Sequence, residues 1–127
     1  PENYNIEDAS VVNLKFTNGA VGSLWASCSA DGGGEGITLS IYANETTALF
    51  KGWEHSLRLL RKGKEPEEIP GEPDIFALED AAFIEAVSTS DPSKIMCPYA
   101  DGVETLKVTL AANRSMETGR PVKLHPR

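Results

Sequence analysis

The apolar residues of this 127-residue chain follow a two-residue period up to about residue 61 and a helical period from about residue 74. The first pattern is typical of strands that bury one face, and the second is typical of amphipathic helices. Strands grouped before helices favour an α+β domain over the alternating order of a parallel sheet. We therefore predict an antiparallel-rich mixed β-sheet with two helices packed on one face, the other face being open for subunit contact.

Five strands are predicted before residue 62. The first, about residues 9–16, places Val12, Leu14 and Phe16 on one face. Asn18-Gly19 then predicts a hairpin, because these residues accept the positive φ of a tight turn. The later strands are expected at about residues 21–30, 37–43, 46–51 and 55–61, with a glycine-rich loop at 31–36.

Residues 62–73 contain three prolines among mixed charges and are predicted to form an exposed loop. A first helix is expected over about residues 74–88, with Phe76, Phe83 and Val87 on one face. Asp91-Pro92 is expected to end it. A second helix is predicted over about residues 101–118, followed by a short last strand at 122–124.

The second helix has start and stop signals in its sequence. Asp101 and Glu104 have the spacing of a capping box, and Gly119 suits a left-handed residue at the helix end. Its polar residues form one narrow stripe with apolar residues on both sides, which predicts a helix buried on more than one side. The stripe consists of Glu104, Lys107 and Arg114, and the apolar residues are Val103, Leu106, Val108, Leu110, Ala112 and Met116.

The composition excludes several classes of partner. The formal net charge of -7 argues against nucleic acids and anionic membranes, which bind clustered Lys and Arg. No apolar run approaches the roughly 20 residues that span a bilayer. Cys28 and Cys97 lack metal-ligand spacing, and we expect both to be reduced and half-buried in a cytoplasmic protein.

No group of residues predicts chemistry in this chain. The glycine run lacks the spacing and the following helix of a phosphate or dinucleotide loop. His55, in a predicted strand, and His125 have no carboxylate or cysteine at ligand spacing. Glu79 and Asp80 point about 100° apart on a helix and are interpreted as early-helix acids that suit the macrodipole. We therefore predict no catalytic, cofactor-binding or metal-ligating residues in this chain.

Two aromatic residues alternate with small polar residues on the sheet face opposite the predicted helices. This face carries Trp25 and Tyr42, and its small residues are Ser23, Ser27, Thr38 and Ser40. Aromatic residues are enriched in protein interfaces, so the face predicts a contact with a second copy of the chain. The alternative is an ordinary solvated sheet face with two amphipathic aromatics.

An ordered set of segments resembles the C-terminal region of the Gfo/Idh/MocA oxidoreductases. The segments are Glu7-Asp8-Ala9, Val12-x-Leu14-x-Phe16, Asn18 to Leu24, Ile37-x-Leu39-x-Ile41-x-Ala43, Thr47-Ala48-Leu49, Phe83 to Val87, and Asp101-Gly102 to Leu124. Asn44-Glu45 stands where the family usually has a glycine. The resemblance covers nearly the whole chain.

The resemblance implies a domain that this chain does not contain. Relatives carry a Rossmann domain for NAD or NADP, a Glu-Lys-Pro motif and an Asp/His segment near the substrate. None of the three occurs here; Lys64-Glu65-Pro66 has the wrong order. Residues 1–127 are thus expected to be a C-terminal substrate and oligomerisation domain of an NAD(P)-dependent sugar or polyol dehydrogenase, inactive alone. The alternative is a free-standing, non-enzymatic interaction or dimerisation module.

Overall fold

The computed structural model describes residues 7–29 and 36–125. These residues divide into two compact units, one formed by 7–29 with 96–125 and the other by 36–95. The predicted α+β class is confirmed. The strands, however, form two sheets of two and four strands, and every pairing among the described residues is antiparallel.

The two-stranded sheet of the first unit is the predicted hairpin, formed by β1 (Ala9–Lys15) and β2 (Val21–Ser27). Its turn depends on Asn18 and Gly19. Gly19 has a φ of 89°, and Asn18 Oδ1 accepts a 3.0 Å hydrogen bond from the Ala20 backbone N–H. A positive φ is readily available to glycine, so the sequence selects this turn locally.

The hairpin register separates two faces. Val12 lies opposite Leu24 and Leu14 lies opposite Gly22, so these residues share one face. Val12 and Leu14 are half-buried there, as the alternation predicts. Trp25 lies opposite Val11 on the other face.

Helix α2 (Tyr99–Thr118) completes the regular structure of the first unit and begins two residues before the predicted start. Pro98 occupies the N-cap position without a side-chain cap, so Asp101 lies in the first turn and the predicted capping box is wrong. The C-terminal end is confirmed. Gly119 has a φ of 65°, and its N–H donates to the Ser115 carbonyl at 2.9 Å.

The prediction that α2 is buried on more than one side is wrong. One face is half-buried and consists of Val103, Glu104, Lys107, Val108, Ala111, Ala112 and Ser115. Leu106, Leu110 and Met116 are exposed. An apolar helix face becomes buried only where another element lies against it, and the sequence of the helix does not specify that element.

The last strand, predicted over residues 122–124, is not formed: residues 120–125 have no regular secondary structure. A strand of three residues requires hydrogen bonds from a neighbouring strand. No described strand pairs with these residues.

The second unit contains a four-stranded antiparallel sheet. Its strands are β3 (Thr38–Tyr42), β4 (Thr46–Lys51), β5 (Ser56–Arg61) and β6 (Glu67–Ile69), adjacent in that order. The sequence predicted the first three but assigned β6 to the exposed loop. Pro66 and Pro70 bracket β6 and made this segment resemble a loop, although proline is tolerated beside an edge strand.

Ion pairs accompany the missed strand. Arg58 Nε lies 2.9 Å from Glu68 Oε1, and Arg61 pairs with Glu67. Glu67 and Glu68, in the segment predicted as an exposed loop, therefore face arginines of β5. These pairs are exposed and contribute little stability individually.

Helix α1 (Ile75–Thr89) follows the sheet and agrees with the predicted position. A short 3-10 helix (Pro92–Lys94) comes next, with Asp91 Oδ1 accepting from the Ser93 N–H at 3.0 Å. Lys94 Nζ contacts Glu85 Oε1 at 2.6 Å and links the two helices. Glu79 and Asp80 lie beyond the first turn, so the macrodipole interpretation is wrong because that effect is confined to the helix ends.

Packing within the second unit is open. Opposite positions place the apolar residues on one sheet face, which includes Leu39, Ile41, Ala48, Phe50, Leu57, Leu59 and Ile69. Leu39 is 54% exposed, whereas Phe50 and Leu57 are half-buried, so this face is only partly covered within the unit. In the described part of the chain, no side chain reaches full burial.

Candidate functional site

The two aromatic residues predicted to form an interface lie on different sheets. Trp25 is in β2 of the first unit and is 76% exposed, whereas Tyr42 ends β3 of the second unit and is 78% exposed. Each side chain is therefore accessible to another molecule on the surface of its own unit. Their shared open face remains a prediction.

The hairpin face around Trp25 is apolar and almost neutral. Val11 lies directly opposite Trp25, Val21 is on the same face, and both valines are exposed. The remaining positions of this face are Ala9, Asn13, Lys15, Ser23 and Ser27. Because it carries no acidic residue and a single cation at its end, this face can contact apolar protein surface at little electrostatic cost.

The sheet face around Tyr42 is more polar. Tyr42 lies opposite Thr47, and Ser40 lies opposite Leu49. Arg58 lies opposite Leu49 on the next strand, in ion-pair contact with Glu68. This face can supply hydrogen bonds and an aromatic ring, but fewer apolar contacts than the Trp25 face.

The described histidines do not belong to a cluster of metal ligands. His55 lies in the turn before β5, not in the strand, and has a φ of 54°. His125 is exposed near the end of the described chain. Over residues 7–29 and 36–125, no three His, Cys, Asp or Glu side chains are placed to hold a metal ion.

Both cysteines are free and exposed, which corrects the expectation that they are half-buried. Cys97 is next to the N-cap of α2 and lines an open cavity of about 190 Å³. The other lining residues are Pro98, Tyr99, Gly102, Val103 and Leu106. This lining is mainly apolar and lacks the convergent polar groups that orient a small ligand.

The described residues do not fit a nicotinamide dinucleotide. Such a cofactor requires a strand, a glycine-rich turn and a helix in immediate succession. Here α1 follows a loop after β6, and α2 follows an irregular segment after the 3-10 helix. The predicted glycine-rich loop at residues 31–36 lies outside the described residues except for Gly36, and its sequence lacks the required spacing.

None of the described helices has the length and apolar character needed to cross a membrane.

Comparison with family models identifies the chain. Residues 1–124 match the model described as the oxidoreductase family, C-terminal alpha/beta domain, of the Gfo/Idh/MocA group. The match covers almost the whole chain, so this protein belongs to that family and comprises its C-terminal domain. No match was found among curated proteins or among solved structures.

Proposed function

We propose that this chain is the C-terminal part of a cytoplasmic NAD(P)-dependent dehydrogenase that acts on a sugar or polyol. In this proposal, another domain of the same polypeptide binds NAD or NADP, and hydride passes between the nicotinamide and a hydroxyl-bearing carbon. The chain itself serves as scaffold and self-association surface. The observation that carries the proposal is the family match over residues 1–124.

The exposed face of α2 supports the proposal that another domain packs against this chain. Leu106, Leu110 and Met116 are large apolar side chains spaced along one helix, and all three are exposed. Apolar patches of this kind mark surfaces that contact other protein. A domain separated from the domain on which it normally packs has such a surface.

The Trp25 face supports self-association. A net charge of -7 opposes the association of two copies, and a contact surface without carboxylates adds the least to this repulsion. The hairpin face of Val11, Val21 and Trp25 satisfies this condition. Tyr42, exposed on β3, is the second aromatic contact that we propose for the same role.

The deciding experiment combines the intact mass of the natural gene product with its activity. We expect a mass of about two to three times the 13.7 kDa of this chain, because a Rossmann domain and a connecting segment are added. We also expect oxidation of members of a sugar and polyol panel with NAD or NADP, followed by nicotinamide absorbance. A larger product without such turnover would contradict the dehydrogenase assignment.

The isolated chain provides the matched control. We expect it to show no NAD(P)-dependent turnover, because the described residues offer neither a dinucleotide turn nor a cluster of metal ligands. Turnover by the isolated chain would contradict this division of roles. A natural product of 13.7 kDa would favour the free-standing, non-enzymatic interaction module instead.

A further inference from the structure

The turn between β1 and β2 holds a reactive pair of residues. Asn18 is the one asparagine in the sequence that is followed directly by glycine. Attack of the Gly19 nitrogen on Asn18 Cγ, the side-chain carbonyl carbon, closes a five-membered imide ring, and reactions between groups held this close in one chain are strongly accelerated. Glycine at position 19 has no side chain to shield the attacking nitrogen. The pair is therefore a candidate site for loss of the Asn18 side-chain amide.

The turn is open to solvent. Asn18 and Gly19 are both exposed, and a Cβ at Gly19 would meet no atom within 4 Å. The described structure therefore leaves room around Gly19 for the turn to rearrange in water. Exposure alone does not single out Asn18, because Asn13, Asn44 and Asn113 are exposed as well. The difference lies in the next residue, which is leucine, glutamate and arginine at those three positions.

Three hydrogen bonds keep the closed turn unreactive. The Gly19 N–H donates to the Phe16 carbonyl at 3.0 Å, and the Ala20 N–H donates to Asn18 Oδ1 at 3.0 Å. The Phe16 N–H donates to the Ala20 carbonyl at 2.9 Å and closes the end of the hairpin. Attack requires that the Gly19 nitrogen loses its hydrogen and turns toward Cγ, which the bond to Phe16 opposes. The reactive arrangement therefore forms only when the turn opens locally.

We propose that Asn18 is a site of spontaneous deamidation whose rate is set by opening of the β1–β2 turn. In the open turn, hydroxide removes the Gly19 amide hydrogen, the nitrogen bonds to Asn18 Cγ, and the Cγ–Nδ2 bond breaks. Water returns a proton to the leaving nitrogen, which departs as ammonia. Another water molecule then opens the imide ring at either carbonyl, which leaves aspartate or isoaspartate at position 18. The reaction consumes only water, and it does not depend on the proposed function.

The two products have different effects on the hairpin. Aspartate keeps a side-chain oxygen that accepts from the Ala20 N–H. Isoaspartate routes the main chain through Cγ and adds one methylene between Phe16 and Gly19, so the turn hydrogen bond and the strand register no longer fit together. That register sets Val11 opposite Trp25. Isoaspartate therefore loosens β1 and β2, whereas aspartate adds a negative charge and leaves the backbone unchanged.

Timed incubation of the natural gene product in mildly alkaline native buffer and in denaturing urea tests the proposal. Tandem mass spectrometry assigns each deamidated residue, and chromatography separates the aspartate and isoaspartate forms. We expect both products at Asn18, formed at least about threefold more slowly in native buffer than in urea. Asn44 is the control within the same molecule, since it is exposed in the turn after β3 but precedes Glu45, and it should keep its amide over the same period.

Variants separate the chemistry from the opening of the turn. Val12→Ala weakens the hairpin away from the turn, since Val12 lies opposite Leu24, and should bring the native rate toward the rate in urea. Leu24→Ala on the facing strand should do the same, and circular dichroism checks that both variants keep their overall structure. Gly19→Ala should suppress the reaction although it also strains the turn, because its methyl group hinders the attacking nitrogen.

Each other result overturns the inference. Native buffer that yields no product at Asn18 means that the folded chain has no such site, and aspartate without isoaspartate means that no imide forms. Equal rates in buffer and in urea, or an unchanged native rate in both hairpin variants, remove the control by the turn. An undiminished rate in Gly19→Ala excludes attack by that nitrogen. Hydrogen exchange in β1 and β2 should be faster in the isoaspartate form than in the aspartate form, and equal exchange would contradict the assigned effect on the hairpin.

Discussion

The rings of Trp53 and Phe76 lie 5.9 Å apart at their centroids and are tilted by 50°. Trp53 belongs to the turn between β4 and β5, and Phe76 belongs to the first turn of α1. Tilted aromatic pairs at this separation are favourable beyond the area that they bury. This contact therefore helps to fix the start of α1 against the turn between β4 and β5.

Removal of either ring should weaken the second unit. In a double-mutant cycle of Trp53→Ala and Phe76→Ala, we expect a coupling free energy of about 0.5–1.5 kcal/mol, measured by urea unfolding. Trp53→Phe should retain much of the coupling because it keeps an aromatic ring at this position. Strictly additive effects of the two alanine substitutions would show that the ring contact does not stabilise the unit.

Gly71→Ala should be destabilising. A Cβ at this position would lie 2.7 Å from the carbonyl carbon of Glu54 and would overlap its oxygen. The adjacent Glu72 N–H donates to that same Glu54 oxygen at 2.8 Å, so the backbone has little freedom to move away. We expect a loss of about 1–3 kcal/mol in the free energy of unfolding.

Gly102→Ala is the control for this effect and should have the opposite sign. A Cβ at Gly102, in the first turns of α2, would meet no atom within 4 Å. Alanine is favoured over glycine in helices by up to about 1 kcal/mol, so the substitution should raise the unfolding free energy. Equal effects at Gly71 and Gly102 would contradict the close approach at Glu54.

The hairpin turn should depend on backbone conformation at Gly19. Because its φ is 89°, Gly19→Ala forces an L-residue into a left-handed conformation at a cost of about 1–2 kcal/mol. Asn18→Ala should cost less because it removes one side-chain acceptor for the Ala20 N–H. Asn18→Asp keeps that acceptor and should remain close to wild type. Urea unfolding followed by tryptophan fluorescence, with Trp53→Phe as the common background, measures all three.

The ion pairs between β5 and β6 should contribute little. Arg58 and Glu68 are 51% and 68% exposed, so Arg58→Ala should cost less than about 1 kcal/mol, and 1 M NaCl should reduce the difference. Glu45→Ala should have a smaller effect than Arg58→Ala, since Glu45 Oε1 lies 4.0 Å from Lys62 Nζ. A salt-independent loss above about 2 kcal/mol for Arg58→Ala would show that the pair has a larger structural role than its exposure indicates.

Self-association should depend on the exposed strand aromatics. We expect Trp25→Ser to weaken association in analytical ultracentrifugation by at least tenfold, because a large apolar ring leaves the contact. Tyr42→Ser tests the second proposed contact in the same way. Met96→Ser removes an apolar side chain that is 94% exposed and lies on neither strand, and should have no effect. An unchanged sedimentation profile for both aromatic variants would contradict the proposed surface.

Local signals in the sequence placed most elements correctly. Alternation located β1 to β5, Asn18-Gly19 located the hairpin turn, and Gly119 located the end of α2, because each depends on neighbouring residues only. The start of α2 was displaced because Asp101 resembles a cap, although Pro98 already provides an extended N-cap residue. β6 was missed because its alternation spans three residues, and only pairing with β5 reveals it.

The sequence likewise predicted some features of the candidate site and missed others. The sequence identified Trp25 and Tyr42 as outward-facing aromatics, since side-chain direction in a strand follows from alternation. The sequence also predicted no catalytic residues in this chain. The structure tests this prediction only for clusters of metal ligands in the described ranges. The apolar face of α1 was predicted only in part, because the sequence grouped Phe76, Phe83 and Val87 on one face without an indication that this face remains exposed.

The sequence alone determined the α+β class, the hairpin turn, the main strands and the family resemblance, because these depend on periodicity, on backbone preference and on residue identity at fixed positions. Tertiary structure decided that the strands form two sheets, that Arg58 faces Glu68, that Trp53 contacts Phe76 and that Leu106 remains exposed. The physical reason is that exposure and pairing depend on which distant segment lies against a residue. Local pattern can show that a face is apolar, but only the spatial arrangement determines what covers it.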